Sequence, residues 1–187
     1  MLLAYQSSML IRATLATAFA VLFAAAPAQA QTVADRSTVT ESLELCELAA
    51  EADVDSRDAL IERGLDLAES AVAVTASDPR AHFAVFCNLG RKLEASARGL
   101  GSLGAIRRLR RAVDTAIELD PTYVDALIGK AALLMSLPRL LGGSRTAAER
   151  CLTDALAVQP DHPVAHLYLA EVLAARGVHT TTRVATR

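Results

Sequence analysis

The chain has 187 residues, of which 19 are Lys or Arg and 21 are Asp or Glu, for a formal net charge of −2. That balance excludes the one-sided basic excess that nucleic-acid binding requires. Three cysteines, widely spaced and without a C-x-x-C pair, exclude a disulfide-dense scaffold.

Residues 1–30 read as an export signal. Arg12 gives a positive n-region, "ATLATAFAVLFAAA" is an apolar run too short to span a bilayer, and Ala28-Gln29-Ala30 fits the small-x-small cleavage pattern. Cleavage after Ala30 leaves Gln31 at the new terminus, whether translation starts at Met1 or Met9. No Cys stands at the cleavage point to accept a lipid, and no later run reaches the roughly 18 apolar residues of a membrane span. The expectation is a periplasmic or secreted protein without a stable membrane anchor. Residues 31–37 are expected to be a disordered lead-in, 38–177 the folded domain and 178–187 a disordered tail.

Seven helices are expected in the folded part, near 38–51, 56–76, 80–97, 103–119, 122–137, 145–158 and 163–176. The fourth is the clearest: Ile106, Leu109, Val113, Ala116 and Ile117 recur at the three-and-four spacing of one helix face, with charges opposite. "SDP", "LDP" and "VQPD" recur, placing Pro79, Pro121 and Pro160 at intervals of 42 and 39 residues. Each Pro lacks an amide donor and disfavours the helical state in its predecessor, so a helix ends before it. Second breaks fall at "ADVDS", "RGLGSLG" and "LPRLLGGS". In the last of these Pro138 stops a helix, and Gly142 and Gly143 give the backbone freedom for a reversal. Ser144 or Thr146 can then cap the next helix, Thr146 with Glu149 at capping-box spacing. Helix pairs repeating with a period of 20 to 50 residues define an all-α class, a short α-solenoid of about three pairs closed by a C-terminal capping helix.

"AIELDPTYVDA" and "ALAVQPDHPVAH" resemble the second-helix ending of a tetratricopeptide repeat, with Ala116 and Ala155 five residues before Pro121 and Pro160. In the first repeat the corresponding Ala73 lies six residues before Pro79. "FAVFCNLGRKL" supplies Phe86, Leu89, Gly90 and Leu93 at the repeat's first-helix positions. Taken in order, "AHFAVFCNLGR", "ELDPTYVDAL" and "LPRLLGGSRTAAERCLTDAL" are similar to the TRAP-transporter T-component and regulator-of-microtubule-dynamics type. The resemblance implies a non-catalytic repeat protein that associates with a periplasmic binding protein and encloses an apolar ligand.

No catalytic or cofactor motif is found. His162 and His166 have metal-compatible spacing, but no Glu accompanies them and His162 precedes Pro163, so they are read as packing or solvated side chains. His82 and His179 are isolated. "GLGSLG" follows no strand and is a turn rather than a dinucleotide site. Arg107, Arg108, Arg110 and Arg111 form a stripe opposite Ile106 and Val113. It is either a solvated face paired with Asp114 and Glu118 or an anchor for an anionic partner. Asn88, Arg91 and Glu94 are placed, to within a helical turn, on the recognition face lined by first helices.

Cys46 and Cys87 fall on the first helices of consecutive pairs, which are neighbours in a repeat stack. They could form one bridge, with Cys151 excluded; the other reading is three buried thiols acting as small apolar side chains. Two functions are compatible with these features. One is an exported protein-binding scaffold. The other is a periplasmic accessory of a solute uptake system holding an apolar small ligand, in a lining expected to be aliphatic because aromatics make up only 4% of the chain.

Overall fold

A computed structural model of the chain describes residues 36–95 and 103–184, with the last helix described in backbone only beyond residue 175. The export signal, residues 31–35, most of "RGLGSLG" and residues 185–187 lie outside the described residues. The chain divides into a unit Met1–Thr38, whose described residues 36–38 are helical, and a unit Val39–Arg187. The second unit carries everything that follows.

The described residues form an all-helical bundle of seven α-helices with extensive pairwise packing. They are α1 (in this unit, 39–51), α2 (Val54–Val74), α3 (Pro79–Ala95), α4 (Leu103–Leu119), α5 (Val124–Ser136), α6 (Arg145–Val158) and α7 (Pro163–Val184). From α2 onward each helix packs on its successor, while α3 also touches α5 and α5 touches α7. Two expectations change at the ends. Residues 36 and 37 are already helical, and α7 continues past Gly177 to Val184, because a single Gly costs a helix only about 1 kcal/mol and does not stop it.

Alanine lets these helices come close. Ala68, Ala84, Ala116 and Ala126 are fully buried in the core of α2–α5, together with Val113, Leu109 and Ile106. Ala131, Ala148, Ala155 and Ala165 do the same around Leu152 in the α5–α7 core. The face of α4 read from its spacing is the face that is buried.

Three turns with the same hydrogen bonds join α2 to α3, α4 to α5 and α6 to α7. The amides of Thr75, Asp120 and Gln159 donate to the carbonyls of Ala71, Ala116 and Ala155, each four residues earlier. The amides of Asp78, Tyr123 and His162 then donate to the carbonyls of Thr75, Asp120 and Gln159 at 3.1, 3.1 and 3.3 Å. The turns therefore correspond, in their hydrogen bonds, at intervals of 45 and 39 residues. The 42-residue interval drawn from prolines is corrected, because Pro121 and Pro160 sit inside their turns whereas Pro79 opens α3. Ala71, not Ala73, is the equivalent of Ala116 and Ala155.

The reversal between α5 and α6 is a 3-10 turn, Arg139–Leu141, ended by Gly142 at φ 85°. That left-handed conformation suits Gly and few other residues. Gly143 has ordinary φ but no room: a Cβ there would stand 1.7 Å from the Leu137 carbonyl oxygen. The amide of Ser144 donates to Leu134 O at 3.0 Å, and Ser144 Oγ accepts from the Ala147 amide at 3.2 Å. Ser144 is thus the cap of α6, and Thr146 lies within its first turn.

Candidate functional site

A groove of about 680 Å³ runs between α3, α5 and α7. Its floor is apolar, with Phe86 and Leu93 from α3, Leu133 and Met135 from α5, and Ile106 and Leu109 of α4 behind them. The turn-anchored register explains why these three helices meet there. Counting nine residues on from Asp78, Tyr123 and His162 reaches Cys87, Ala132 and Glu171, and all three line the groove. Gly129 holds the waist open, since a Cβ at that position would stand 2.6 Å from the Phe86 ring.

The few aromatic side chains concentrate here. The chain has only Phe83, Phe86, Tyr123 and Tyr168 after residue 35. Phe86 and Tyr168 line the groove; Phe83 stacks on Phe86 at 5.8 Å and meets Tyr123 edge-on at 5.2 Å. Aliphatic side chains still make up most of the apolar lining, as composition led one to expect, and Phe86 and Tyr168 add two rings to it. Burial, reinforced by the nearby Asp125 carboxylate, pushes the Tyr123 phenol well above its ordinary range, so it stays a neutral packing group.

The three residues assigned to the recognition face separate. Arg91 and Glu94 line the groove and pair with each other at 3.0 Å, the Glu94 side chain remaining 69% exposed. Asn88 is turned away from the groove and is wholly buried. Its Nδ2 donates to Ser42 O, Ser42 Oγ and Ala84 O at 3.2, 3.1 and 3.0 Å, and Ser42 Oγ donates to Gly64 O at 2.7 Å. Asn88 is therefore a polar clasp joining α1, α2 and α3. Asn88 lies about 60° round the helix from Arg91 and about 120° from Glu94, enough to carry it from the groove edge into the interface with α1 and α2, a distinction finer than one helical turn.

The arginine stripe also divides. Arg108 pairs with Glu69 on α2, and Arg110 donates to Leu141 O and Gly142 O at 3.1 Å each, tying α4 to the reversal. Asp114, expected to serve the stripe, pairs instead with Lys130 of α5 at 2.8 Å. Arg107 and Arg111 remain on the exposed surface. A continuous anionic-partner patch of four guanidinium groups is not what the fold presents, because helix-to-helix pairs compete with those along one helix.

Cys46 and Cys87 are joined by a disulfide with Cα atoms 6.1 Å apart, and Cys151 is free. Cys46 is fully buried, while Cys87 lines the groove, so the bridge ties α1 to the groove wall. His166 Nε2 lies 2.6 Å from Pro160 O, His162 Nδ1 accepts from the Ala165 amide at 3.3 Å, and His82 Nε2 lies 2.8 Å from Ala76 O. His82 and His166 thus do the same work in equivalent turns. Among the described residues no group of three His, Cys, Asp or Glu side chains is placed to hold a metal ion. The side chain of His179 lies outside the described residues. Among those residues no helix is long and apolar enough to cross a membrane.

Sequence reasoning missed Met135, Tyr168, Glu171 and Gly129. For Met135 and Glu171 the signal was available in the turns: once Tyr123 and His162 are aligned with Asp78, Gly90 and Cys87 on α3 point to them, whereas Gly129 and Tyr168 are counterparts of Ala84, which is buried and does not line the groove. A scan against family models matches none, and a search of curated proteins finds no match.

Proposed function

We propose that this chain is an exported, non-catalytic scaffold of tetratricopeptide-like repeats that holds a segment of a partner protein in the α3–α5–α7 groove. One observation carries the reading: the groove is lined at equivalent positions, Cys87, Ala132 and Glu171, of three helices that follow equivalent turns. Stacked helix pairs present such a surface on their first helices, and it is where repeat scaffolds bind. Contacts between α3 and α5 and between α5 and α7 support the stacking.

Photo-crosslinking in the expressing cell tests it. A crosslinker at Ala132 should trap a defined partner peptide, whereas one at Leu140, which is 99% exposed on the reversal, should not. Equal trapping from both sites, or none from Ala132, would count against the scaffold. Export is tested by N-terminal sequencing of extracytoplasmic protein, with Gln31 the expected first residue.

The groove's volume favours a second reading, since about 300–1,000 Å³ is the range of small-ligand pockets. On that reading the chain is a periplasmic accessory of a solute uptake system, as the T-component resemblance implies, and the occupant is an apolar small molecule. Native mass spectrometry would then show a small added mass that denaturation removes.

A further inference from the structure

We infer that the occupant of the groove is a cationic amphipathic helix of a partner protein, about two turns of which seat apolar side chains on the floor while its Lys or Arg residues meet Glu94 and Glu171. The inference rests on the scaffold reading above and adds the chemistry of the partner.

Three features of the groove favour positive charge. First, its charged lining residues are Arg91, Glu94 and Glu171, and Arg91 is already engaged by Glu94, which leaves the carboxylate side in excess. Second, α5 brings its last turn to it, through Ser136 and the cap residue Leu137. The C-terminal carbonyls of a helix carry partial negative charge, and the last turn of α5 holds no basic residue to offset it. Third, Phe86 and Tyr168 offer aromatic rings, whose faces attract ammonium and guanidinium groups.

The dimensions favour a helix. Along α3 the lining runs from Phe86 to Glu94, roughly 12 Å at 1.5 Å per residue, which is the length of about two helical turns. An amphipathic helix laid in a groove is read through anchors at i, i+3 or i+4 and i+7. Leu93, Leu133 and Met135 give such anchors a floor, and the carboxylates stand beside it.

The test uses the purified chain with its disulfide intact and three synthetic 14-residue helical peptides that share Leu anchors and carry Lys, Gln or Glu at the flanking positions. Fluorescence anisotropy at low salt should rank them Lys, Gln, Glu, with the Lys peptide about tenfold tighter than the Glu peptide and the gap narrowing at 0.5 M salt as screening grows. Glu171→Gln should remove about half of that preference on a logarithmic scale. Glu118→Gln, on α4 outside the groove, should leave it intact. Ala132→Phe, which places a ring in the groove, should abolish binding of all three while an unchanged helical circular dichroism spectrum shows that the chain is folded. Binding that ignores peptide charge, or a preference that Glu118→Gln lowers as much as Glu171→Gln, would overturn the cationic partner and leave the scaffold standing. No binding of any peptide, together with a retained apolar small molecule in native mass spectrometry, would overturn both.

Discussion

Gly64 and Asn88 meet across the α2–α3 interface so closely that a Cβ on Gly64 would stand 2.1 Å from the Asn88 side-chain oxygen. That oxygen has no hydrogen-bond partner, so the contact is one of shape, while the three Nδ2 bonds hold the amide in place. Gly64→Ala should therefore destabilise by about 1–3 kcal/mol through overpacking. In an Asn88→Ala background the same change should cost much less, a coupling of at least about 1 kcal/mol for residues in contact. Urea unfolding of the four chains measures it; equal losses in both backgrounds would remove the contact.

The reversal between α5 and α6 makes a graded prediction. Gly143→Ala should be the most damaging, because its Cβ meets backbone at Leu137, which cannot rotate away. Gly142→Val should cost more than about 1 kcal/mol, since a β-branched residue fits positive φ badly, and it would also displace the Arg110 guanidinium that packs over that position. Arg139→Ala, on an exposed residue, should change the melting temperature little. Wild-type melting in both glycine variants would dismiss this account of the turn.

The Cys46–Cys87 bridge predicts one label when the denatured chain is alkylated without reductant, and three after reduction. Three labels without reductant would mean free thiols. With the two positions 41 apart in sequence, chain-entropy reasoning assigns the bridge about 4 kcal/mol. Cys87→Ser should lower stability by an amount of that order, and an unchanged denaturation midpoint would show that the sulfurs merely pack.

Burial pushes the Cys151 thiol up from its ordinary value. Its alkylation in the folded chain should therefore be slow at pH 8 and keep rising at pH values where an exposed thiol has levelled off. The linkage has a definite sign. The unfolded chain releases this proton first, so stability contributed by the neutral thiol is present below the ordinary thiol pKa and is lost as pH rises from there through the folded value. An alkylation profile matching that of a free cysteine would contradict the burial.

Helix positions were legible because each boundary is marked by chemistry within a few residues: Asp53 accepting from the Ser56 amide at 2.9 Å, Pro79 and Pro163 opening helices, Ser144 capping α6. The spacing of the three like-bonded turns was less so, since Pro plays two different roles in them and only the carbonyls of Ala71, Ala116 and Ala155 reveal their correspondence. The groove was half legible. Arg91 and Glu94 follow from the register of α3, but Tyr168 and Glu171 join them only because α7 stacks beyond α5, a fact about pairs of helices that one helix's periodicity does not contain. The partners of Arg108 and Arg110 escaped for the same reason.

Because the bridge joins α1 directly to α3, the whole of α2 lies inside a covalently closed loop. Pulled from its two ends, an oxidised chain would unravel without ever extending the segment between residues 46 and 87, which are 41 apart in sequence, so its final length should fall short of the reduced chain's by roughly 140 Å at about 3.4 Å per extended residue. Under tension α2 is spared: the load passes from residue 46 to residue 87 through sulfur, and the groove wall on α3 becomes a point where force enters the fold.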